Sequence, residues 1–182
     1  MSEPTKNERF QMLVTPHLNS AFNLACWLTR SRPDAEDLVQ EASLRAFRFV
    51  DGFRGDDARA WLLTIVRNTF YTWHQEQHAQ QQNTLFDEEF HSLDAADAGE
   101  VRHHDNNPEQ LLLRKDSERQ LQRALAALPL EFREVMVMRE LEDLSYKQIA
   151  AIVGIPIGTV MSRLGRGRKL LAKSLAPAHQ GE

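Results

Sequence analysis

Near the C-terminus, one stretch of sequence predicts two helices joined by a tight turn. It reads SYKQIAAIV and then GIPIGTVMSRLGRGRK, over residues 145–169. Ser145 suits the cap of the first helix, Leu144 precedes it as a hydrophobic staple, and Gly154 supplies the left-handed residue that ends the helix. Two helices joined by a short glycine-containing turn are typical of a helix-turn-helix, whose second helix enters the major groove of DNA.

The second helix of this motif has an apolar side and a basic side. At about 100 degrees per residue, Ile157, Val160 and Leu164 point inward together. Outward Arg, Ser and Thr side chains can hydrogen-bond to base edges, and flanking Arg side chains can bind phosphates. We therefore predict that this helix reads duplex DNA. The predicted contact residues are Thr159, Ser162, Arg163, Arg166 and Lys169.

An N-terminal bundle of helices is predicted from apolar spacing. Acids from Asp34 onward suit the start of a helix that runs to Phe49. Its apolar side is formed by Leu38, Ala42, Ala46 and Phe49. A further helix starts near Asp57 and runs to Trp73, and one around Phe10 to Arg30 completes the bundle.

After the bundle, a second group of helices is predicted from Pro108 onward. Pro108 suits the first helical position. The buried side of this helix is predicted from Leu111, Leu121, Leu125 and Leu128. A shorter helix follows from about Leu130 to Leu141 and leads into the helix-turn-helix. The whole chain is therefore expected to be all-α.

Charge separates the two helical parts. The net charge is -1 over residues 1–80, -6 over 81–116 and +3 over 117–182. Residues 80–107 show no sustained apolar period, so we expect a flexible acidic linker there. The predicted organisation is an N-terminal domain over 1–79, the linker over 80–107 and a helix-turn-helix domain over 108–176. The two domains are expected to move independently.

Composition excludes several classes of protein. No apolar run reaches membrane-spanning length and the N-terminus lacks a signal-peptide core, so we expect a cytoplasmic location without membrane insertion. Cys26, in an apolar run, is expected to be a buried thiol, and one cysteine excludes an internal disulfide. His74 and His78 stand at i, i+4, but solvated histidines are favoured over a zinc site. No metal, no cofactor and no enzyme motif is predicted.

Two long segments resemble a known family. LPLEFREVMVMRELEDLSYKQIAAIVGIPIGTVMSRLGRGRKLL resembles the promoter -35 reading domain of bacterial sigma factors of the extracytoplasmic-function (ECF) group. DAEDLVQEASLRAFRFVDGFRGDDARAWLLTIVRNTFYTW is similar to the -10 domain of the same group. The resemblance implies a sigma factor that directs core RNA polymerase to promoters. It implies core polymerase, promoter DNA and an anti-sigma factor as partners.

The resemblance also implies roles for residues in the N-terminal half. The polar side of the helix from Asp34 to Phe49 would dock on the polymerase clamp through Asp37, Gln40 and Glu41. The segment that follows would capture a flipped base of the -10 element, and single-stranded DNA binding by basic and aromatic side chains fits that role. The residues implied in -10 binding are Arg54, Arg59, Trp61 and Asn68.

A second class of protein stays open at this point. A stand-alone helix-turn-helix regulator with an N-terminal sensing bundle would bind duplex DNA by itself, usually as a dimer on two half-sites. Such a regulator would need no clamp-docking helix, so co-purification with core polymerase distinguishes the two classes.

Overall fold

In the computed structural model, residues 3–83 and 108–176 are described, and every regular element among them is helical. The all-α prediction is confirmed. The N-terminal half contains α1 (Lys6–Leu13), α2 (Leu18–Thr29), α3 (Arg32–Phe49) and α4 (Ala58–Asn83). The C-terminal half contains α5 (Pro108–Ala126), α6 (Leu130–Met136), a π-helical turn (Val137–Leu141), α7 (Tyr146–Val153) and α8 (Ile157–Leu175).

The first predicted helix is divided in two. A 3-10 turn over Thr15–His17 contains Pro16 and separates α1 from α2. Proline has no backbone N–H and cannot continue the α-helical ladder, which explains the break. Helix α2, in which Cys26 is half-buried, ends at Arg30, whose φ of 54° is left-handed. The result is a short arm, α1, beside the three-helix bundle of α2, α3 and α4.

Helix α3 follows its prediction except at its last turn. The Ser31 side chain accepts a hydrogen bond from the Asp34 backbone N–H and caps the helix. Leu38, Ala42 and Ala46 are fully buried as predicted, but the Phe49 side chain is 65% exposed. The prediction for Phe49 was wrong because α3 gives way there to a 3-10 turn over Val50–Gly52, in which buried Val50 fills the next core position.

The helix-turn-helix forms as the sequence predicts. The Ser145 side chain accepts from the Gln148 backbone N–H while the Gln148 side chain accepts from the Ser145 backbone N–H, a complete capping box. Gly154 has a φ of 76°, in the region that favours glycine. Val160 and Leu164 are fully buried, whereas Ile157 is 46% exposed because it opens the first turn of α8.

Over residues 113–126 of α5, whose side chains are described, the buried residues lie near the C-terminal end. Leu125, and Leu128 just after the helix, are buried as predicted, but Leu121 is exposed. The prediction for Leu121 was wrong because the helix spacing that unites these residues does not show how far a neighbouring helix extends. The side chain of Leu111 lies outside the described residues.

The two halves of the protein lie in direct contact. Helix α2 packs on α6 and the π-helical turn, and α4 packs on α7. Buried residues of both halves form one apolar cluster. This contact differs from the expectation of independently moving domains. Residues 80–83 of the predicted linker continue α4, and residues 84–107 lie outside the described part of the chain.

Within the described ranges, no single helix is long and apolar enough to cross a membrane. Helices α7 and α8 pass that test only as a pair, and they are bent by 101° at the turn between them. That bend is the corner of the helix-turn-helix.

Candidate nucleic-acid interface

Helix α8 presents a basic surface to solvent. Ser162, Arg166 and Lys169 are exposed, and Thr159 is half-buried at the start of the helix. No acid occurs between Ile157 and Leu175. The exposed row therefore offers hydroxyl, guanidinium and ammonium donors without a neighbouring carboxylate on the same helix. Such donors match the acceptors on bases and phosphates.

Two arginines of α8 have protein partners instead. The Arg163 Nη1 atom lies 4.0 Å from Oε1 of Glu134, and the Arg163 side chain is half-buried. The Arg168 guanidinium donates to Glu140 Oε1, at 2.7 Å from Nη2 and 3.2 Å from Nε. These contacts place Arg163 on the side of α8 that faces α6, not in the exposed row.

Glycine at one position lets α8 approach α6 closely. Gly167 is buried, and an added Cβ would lie 3.0 Å from the Cγ atom of Met136. This distance is tighter than nine in ten real Cβ contacts, so the Met136 side chain would have to give by a few tenths of an ångström. The absence of a side chain at Gly167 thus lets α8 pack closely against α6.

In the N-terminal half, the predicted -10 residues fall into two groups. Arg54 and Asn68 are exposed, and the Arg54 guanidinium donates to the backbone oxygens of Asp51 and Phe53. Trp61 is half-buried, with its ring centroid 4.7 Å from that of Phe53. The structure therefore does not bring the predicted -10 residues together on one open surface.

Arg59, also predicted to bind the -10 element, joins the two halves. Its Nη2 atom donates to the Glu142 backbone oxygen and to Glu142 Oε2, both at 2.6 Å. Its Nε atom donates to Ser20 Oγ at 3.3 Å. Glu142 is 8% exposed and also accepts from the Asn23 side-chain amide. Arg59 is thus held by the helix-turn-helix half.

A second arginine of α4 makes a matching contact. The Arg67 guanidinium donates to Glu134 through Nε at 2.8 Å and through Nη2 at 3.1 Å. Its carbon Cζ lies 4.3 Å from the ring centroid of Tyr71. Burial opposes the charge on Arg67, but the hydrogen bonds and charge of Glu134 outweigh it and raise the pKa of Arg67. Burial, with the Glu134 charge, raises the pKa of Tyr71 to about 12.

Sequence reasoning missed Glu134, although a signal was present. Glu134 follows Leu130 by four residues, and Met138 follows Glu134 by four, so an acid stands within the apolar stripe of this segment. The Glu134 side chain is 0% exposed. An acid at such a position needs a cationic partner from another element. Arg67 is that partner.

Arg133, next to Glu134, is a buried cation held by carbonyl groups. Its Nη1 atom donates to the backbone oxygens of Ala126 and Leu128, both at 3.0 Å, and its Nη2 atom donates to that of Leu28 at 3.4 Å. Its Nε atom has no hydrogen-bond partner among the described residues. Burial, with the nearby Arg30 charge, lowers the pKa of Arg133 to about 10.

The residues implied in polymerase docking lie along α3. Asp37 and Gln40 are exposed, whereas Glu41 is half-buried. Glu41 accepts hydrogen bonds from Arg45 and from the Trp73 indole N–H. An apolar groove runs beside Gln40 between α3 and the first two helices. It is lined by Phe10, Leu18, Phe22, Val39, Leu44 and Phe47.

The two helical histidines lie close together near the end of α4. The Nε2 atoms of His74 and His78 are 3.1 Å apart. Across residues 3–83 and 108–176, no three His, Cys, Asp or Glu side chains are grouped so that they could hold a metal ion.

Comparison with known proteins identifies both halves. The family described as Sigma-70 region 2 matches residues 13–79, and the family described as Sigma-70, region 4 matches residues 118–171. The ECF RNA polymerase sigma-E factor of Escherichia coli K12 is 33% identical over 171 residues, which span 92% of this chain and 87% of that protein. The chain belongs to the ECF group of the sigma-70 family. It is therefore a sigma factor, which directs bacterial RNA polymerase to promoters, rather than a stand-alone regulator.

Further relatives of this sigma factor agree in sequence and in structure. The ECF sigma factor SigE of Mycolicibacterium smegmatis is 35% identical over 164 residues, and the present chain spans 60% of its length. The sigma factor RpoE of Bartonella quintana, solved in complex with the anti-sigma factor NepR, has a TM-score of 0.72 and 28% identity, over 91% of this chain and 96% of that chain. CnrH, solved with the cytosolic domain of CnrY, shares the fold, with a TM-score of 0.58 and 22% identity over 91% of this chain and 86% of that chain.

Proposed function

We propose that α8 of this sigma factor reads the promoter -35 element. The observation that carries the proposal is the exposed, acid-free row of Ser162, Arg166 and Lys169 on the second helix of the helix-turn-helix. Thr159, at the N-terminal end of the same helix, is placed where such helices contact bases. Arg163, which faces Glu134, would contact a phosphate only after that ion pair separates.

The N-terminal half would bind and open the -10 element. Arg54 precedes α4 and Asn68 lies within it, and both are exposed and so open to contact with a single strand. Arg59 would join them after release from Glu142. Trp61, packed on Phe53, would support the loop before α4 more than stack on a base. The proposed domains are residues 1–79 for the -10 element and 108–176 for the -35 element, with 80–107 between them.

Core RNA polymerase would dock on the exposed side of α3. The side chains of Asp37 and Gln40 are exposed and can therefore contact a partner. They lie about one helical turn apart on the same helix. Glu41 is less suited to direct contact because Trp73 and Arg45 already use its carboxylate oxygens. We assign Glu41 to holding the α3 surface in place.

The remaining roles follow from the family. An anti-sigma factor is a proposed partner, because the B. quintana neighbour was solved in complex with one. The chain would supply promoter specificity while polymerase performs the chemistry, so it is proposed not to be an enzyme. It would act in the cytoplasm, where polymerase and promoter DNA are found.

Run-off transcription with purified core enzyme on a promoter library tests this function. The expected result is transcription from a subset of promoters that share -10 and -35 sequences, only when this chain is added. The matched control is core enzyme alone. Transcription that does not depend on the chain, or specific binding of a palindromic site by the chain without polymerase, would contradict the proposal.

A further inference from the structure

The contact between the two halves has a consistent polarity. In both ion pairs that cross it between described residues, the N-terminal half supplies the arginine and the C-terminal half supplies the carboxylate. Arg59 Nη2 lies 2.6 Å from Glu142 Oε2, and Arg67 Nε lies 2.8 Å from Glu134 Oε2. Both arginines belong to α4, the helix proposed to bind the -10 element. The C-terminal half therefore places acids where promoter DNA would place phosphates.

A carboxylate held in this way excludes a phosphate. Arg67 donates two parallel hydrogen bonds to the two oxygens of Glu134, the paired geometry that a guanidinium also uses on a phosphate. Arg59 uses one Nη atom for two oxygens of Glu142. Neither guanidinium group can keep these bonds and bind a DNA strand with the same atoms.

One of these acids, Glu134, also reaches the -35 reading helix. Glu134 lies 4.0 Å from Arg163 of α8 as well as against Arg67 of α4. One buried carboxylate thus engages a basic residue in each DNA-binding half. Separation of the halves would release Arg67 at once and leave Glu134 to Arg163 alone.

We propose that Glu134 and Glu142 form an autoinhibitory contact that occupies Arg59 and Arg67, and that Arg67 binds promoter DNA near the -10 element once the halves separate. The inference rests on the proposed -10 role of the N-terminal half. It adds Arg67 to the DNA-binding residues and assigns the two carboxylates a regulatory role.

The charged part of the contact suits a state that opens. Burying charges has a desolvation penalty that offsets much of the attraction within an ion pair, so such pairs contribute little net stability to a closed state. Arg133, buried at the same contact, has only carbonyl partners and leaves its Nε unpaired among the described residues. Opening would return these groups to water. A partner that binds only the open form can then shift the population.

The test compares two double variants of the full chain that carry the same net charge. Glu134→Gln with Glu142→Gln removes the interdomain acids, and Glu118→Gln with Glu131→Gln removes two exposed acids of the same half. Fluorescence anisotropy measures their affinity for labelled oligothymidylate of about 20 nucleotides, long enough to cover a single-strand site. Small-angle scattering measures their radius of gyration, and circular dichroism checks that each variant is folded.

The interdomain variant is expected to bind the oligonucleotide roughly tenfold more tightly than the control, with a larger radius of gyration, because the binding-competent fraction rises. Adding Arg67→Ala should remove most of that gain. Equal affinity of the two double variants would overturn the proposal, as would a gain that survives Arg67→Ala.

Glu134 is buried, so Glu134→Gln could prevent folding, and a second variant that keeps the net charge unchanged is therefore also tested. Asn23→Ala removes one donor to Glu142 and should also tighten oligonucleotide binding, by about twofold, because it favours the open form. No change for Asn23→Ala would count against the contact.

Run-off transcription with core enzyme is measured in parallel. If transcription is promoter-selective but no variant changes the affinity of the free protein for the oligonucleotide, only the autoinhibitory contact is rejected. If the wild-type chain does not make transcription promoter-selective, the proposed function itself is rejected.

Discussion

The indole N–H of Trp73 donates to Oε2 of Glu41 at 2.7 Å and ties the middle of α4 to the polar side of α3. The second oxygen of Glu41 accepts from Arg45, one turn further along α3. The sequence resemblance implies that Glu41 lies on the polar side of α3 and docks on the polymerase clamp. The structure shows instead a half-buried carboxylate with partners from two helices, and its replacement has consequences for stability.

Replacing Glu41 with Lys is expected to lower the free energy of unfolding by about 1–3 kcal/mol, because the Trp73 donor loses its acceptor and a cation is placed beside Arg45. Urea unfolding followed by tryptophan fluorescence measures the change. Asp37→Lys is the matched control, since Asp37 is exposed on the same helix. Equal stability of the two variants would show that the Trp73 contact contributes nothing, and Glu41→Gln, which keeps an acceptor, should lie between them.

Replacing Arg166 with Ala should weaken recognition of the -35 element by about 1–3 kcal/mol and relax the preference at one base position, if its guanidinium pairs with a guanine. Competition between promoter variants in run-off transcription with core enzyme gives the preference at each position. Lys173→Ala is a suitable control because Lys173 is also exposed on α8 but lies two turns further from the N-terminal end. A uniform loss on every promoter would instead identify Arg166 as a phosphate contact.

The pKa of Tyr71 is expected to be raised above its ordinary value only while the two halves are packed together. Its pKa is raised from 10.0 to about 12 by burial and by the Glu134 charge. A raised pKa means that the neutral phenol is favoured in the folded protein. The stability that it contributes is therefore present below pH 10.0 and is lost as the pH rises through about 12.

Absorbance of the tyrosinate ion in a Tyr146→Phe variant isolates this titration, because Tyr71 and Tyr146 are the two tyrosines of the chain. The midpoint should lie well above that of the same variant in denaturant. Adding Glu134→Gln should lower the native midpoint, since it removes a charge that disfavours tyrosinate. Identical midpoints in native buffer and in denaturant would contradict the packing of Tyr71.

Replacing Gly167 with Leu should destabilise the C-terminal half by about 1–3 kcal/mol, because the new side chain has no space against Met136 and Phe132. Thermal or urea unfolding measures the effect. Gly165→Leu is the matched control on the same helix, as an added Cβ there meets nothing within 4 Å. The control should gain about 0.5–1 kcal/mol from helix propensity. A stable Gly167→Leu protein would mean that α8 can move away from α6.

The sequence by itself determined the features that depend on neighbours along the chain. Ser145, Gln148 and Gly154 specify the first helix of the helix-turn-helix because caps and left-handed residues act within one turn. The inward positions of Val160 and Leu164 follow from helical spacing alone. The resemblance of both halves to ECF sigma factors, confirmed by the two family matches, likewise came from the order of residues.

Only the tertiary structure decided which charged side chains form ion pairs with another part of the protein. Arg59 and Glu142 are 83 residues apart, and Arg67 and Glu134 are 67 apart. Helical spacing predicts which side of a helix a residue lies on. It does not predict which other helix packs against that side, or how far along the helix that packing extends. Phe49 and Ile157 became exposed for the same reason, at the ends of their helices. Contacts between the halves depend on how two complete surfaces meet, and that information is spread over the whole chain.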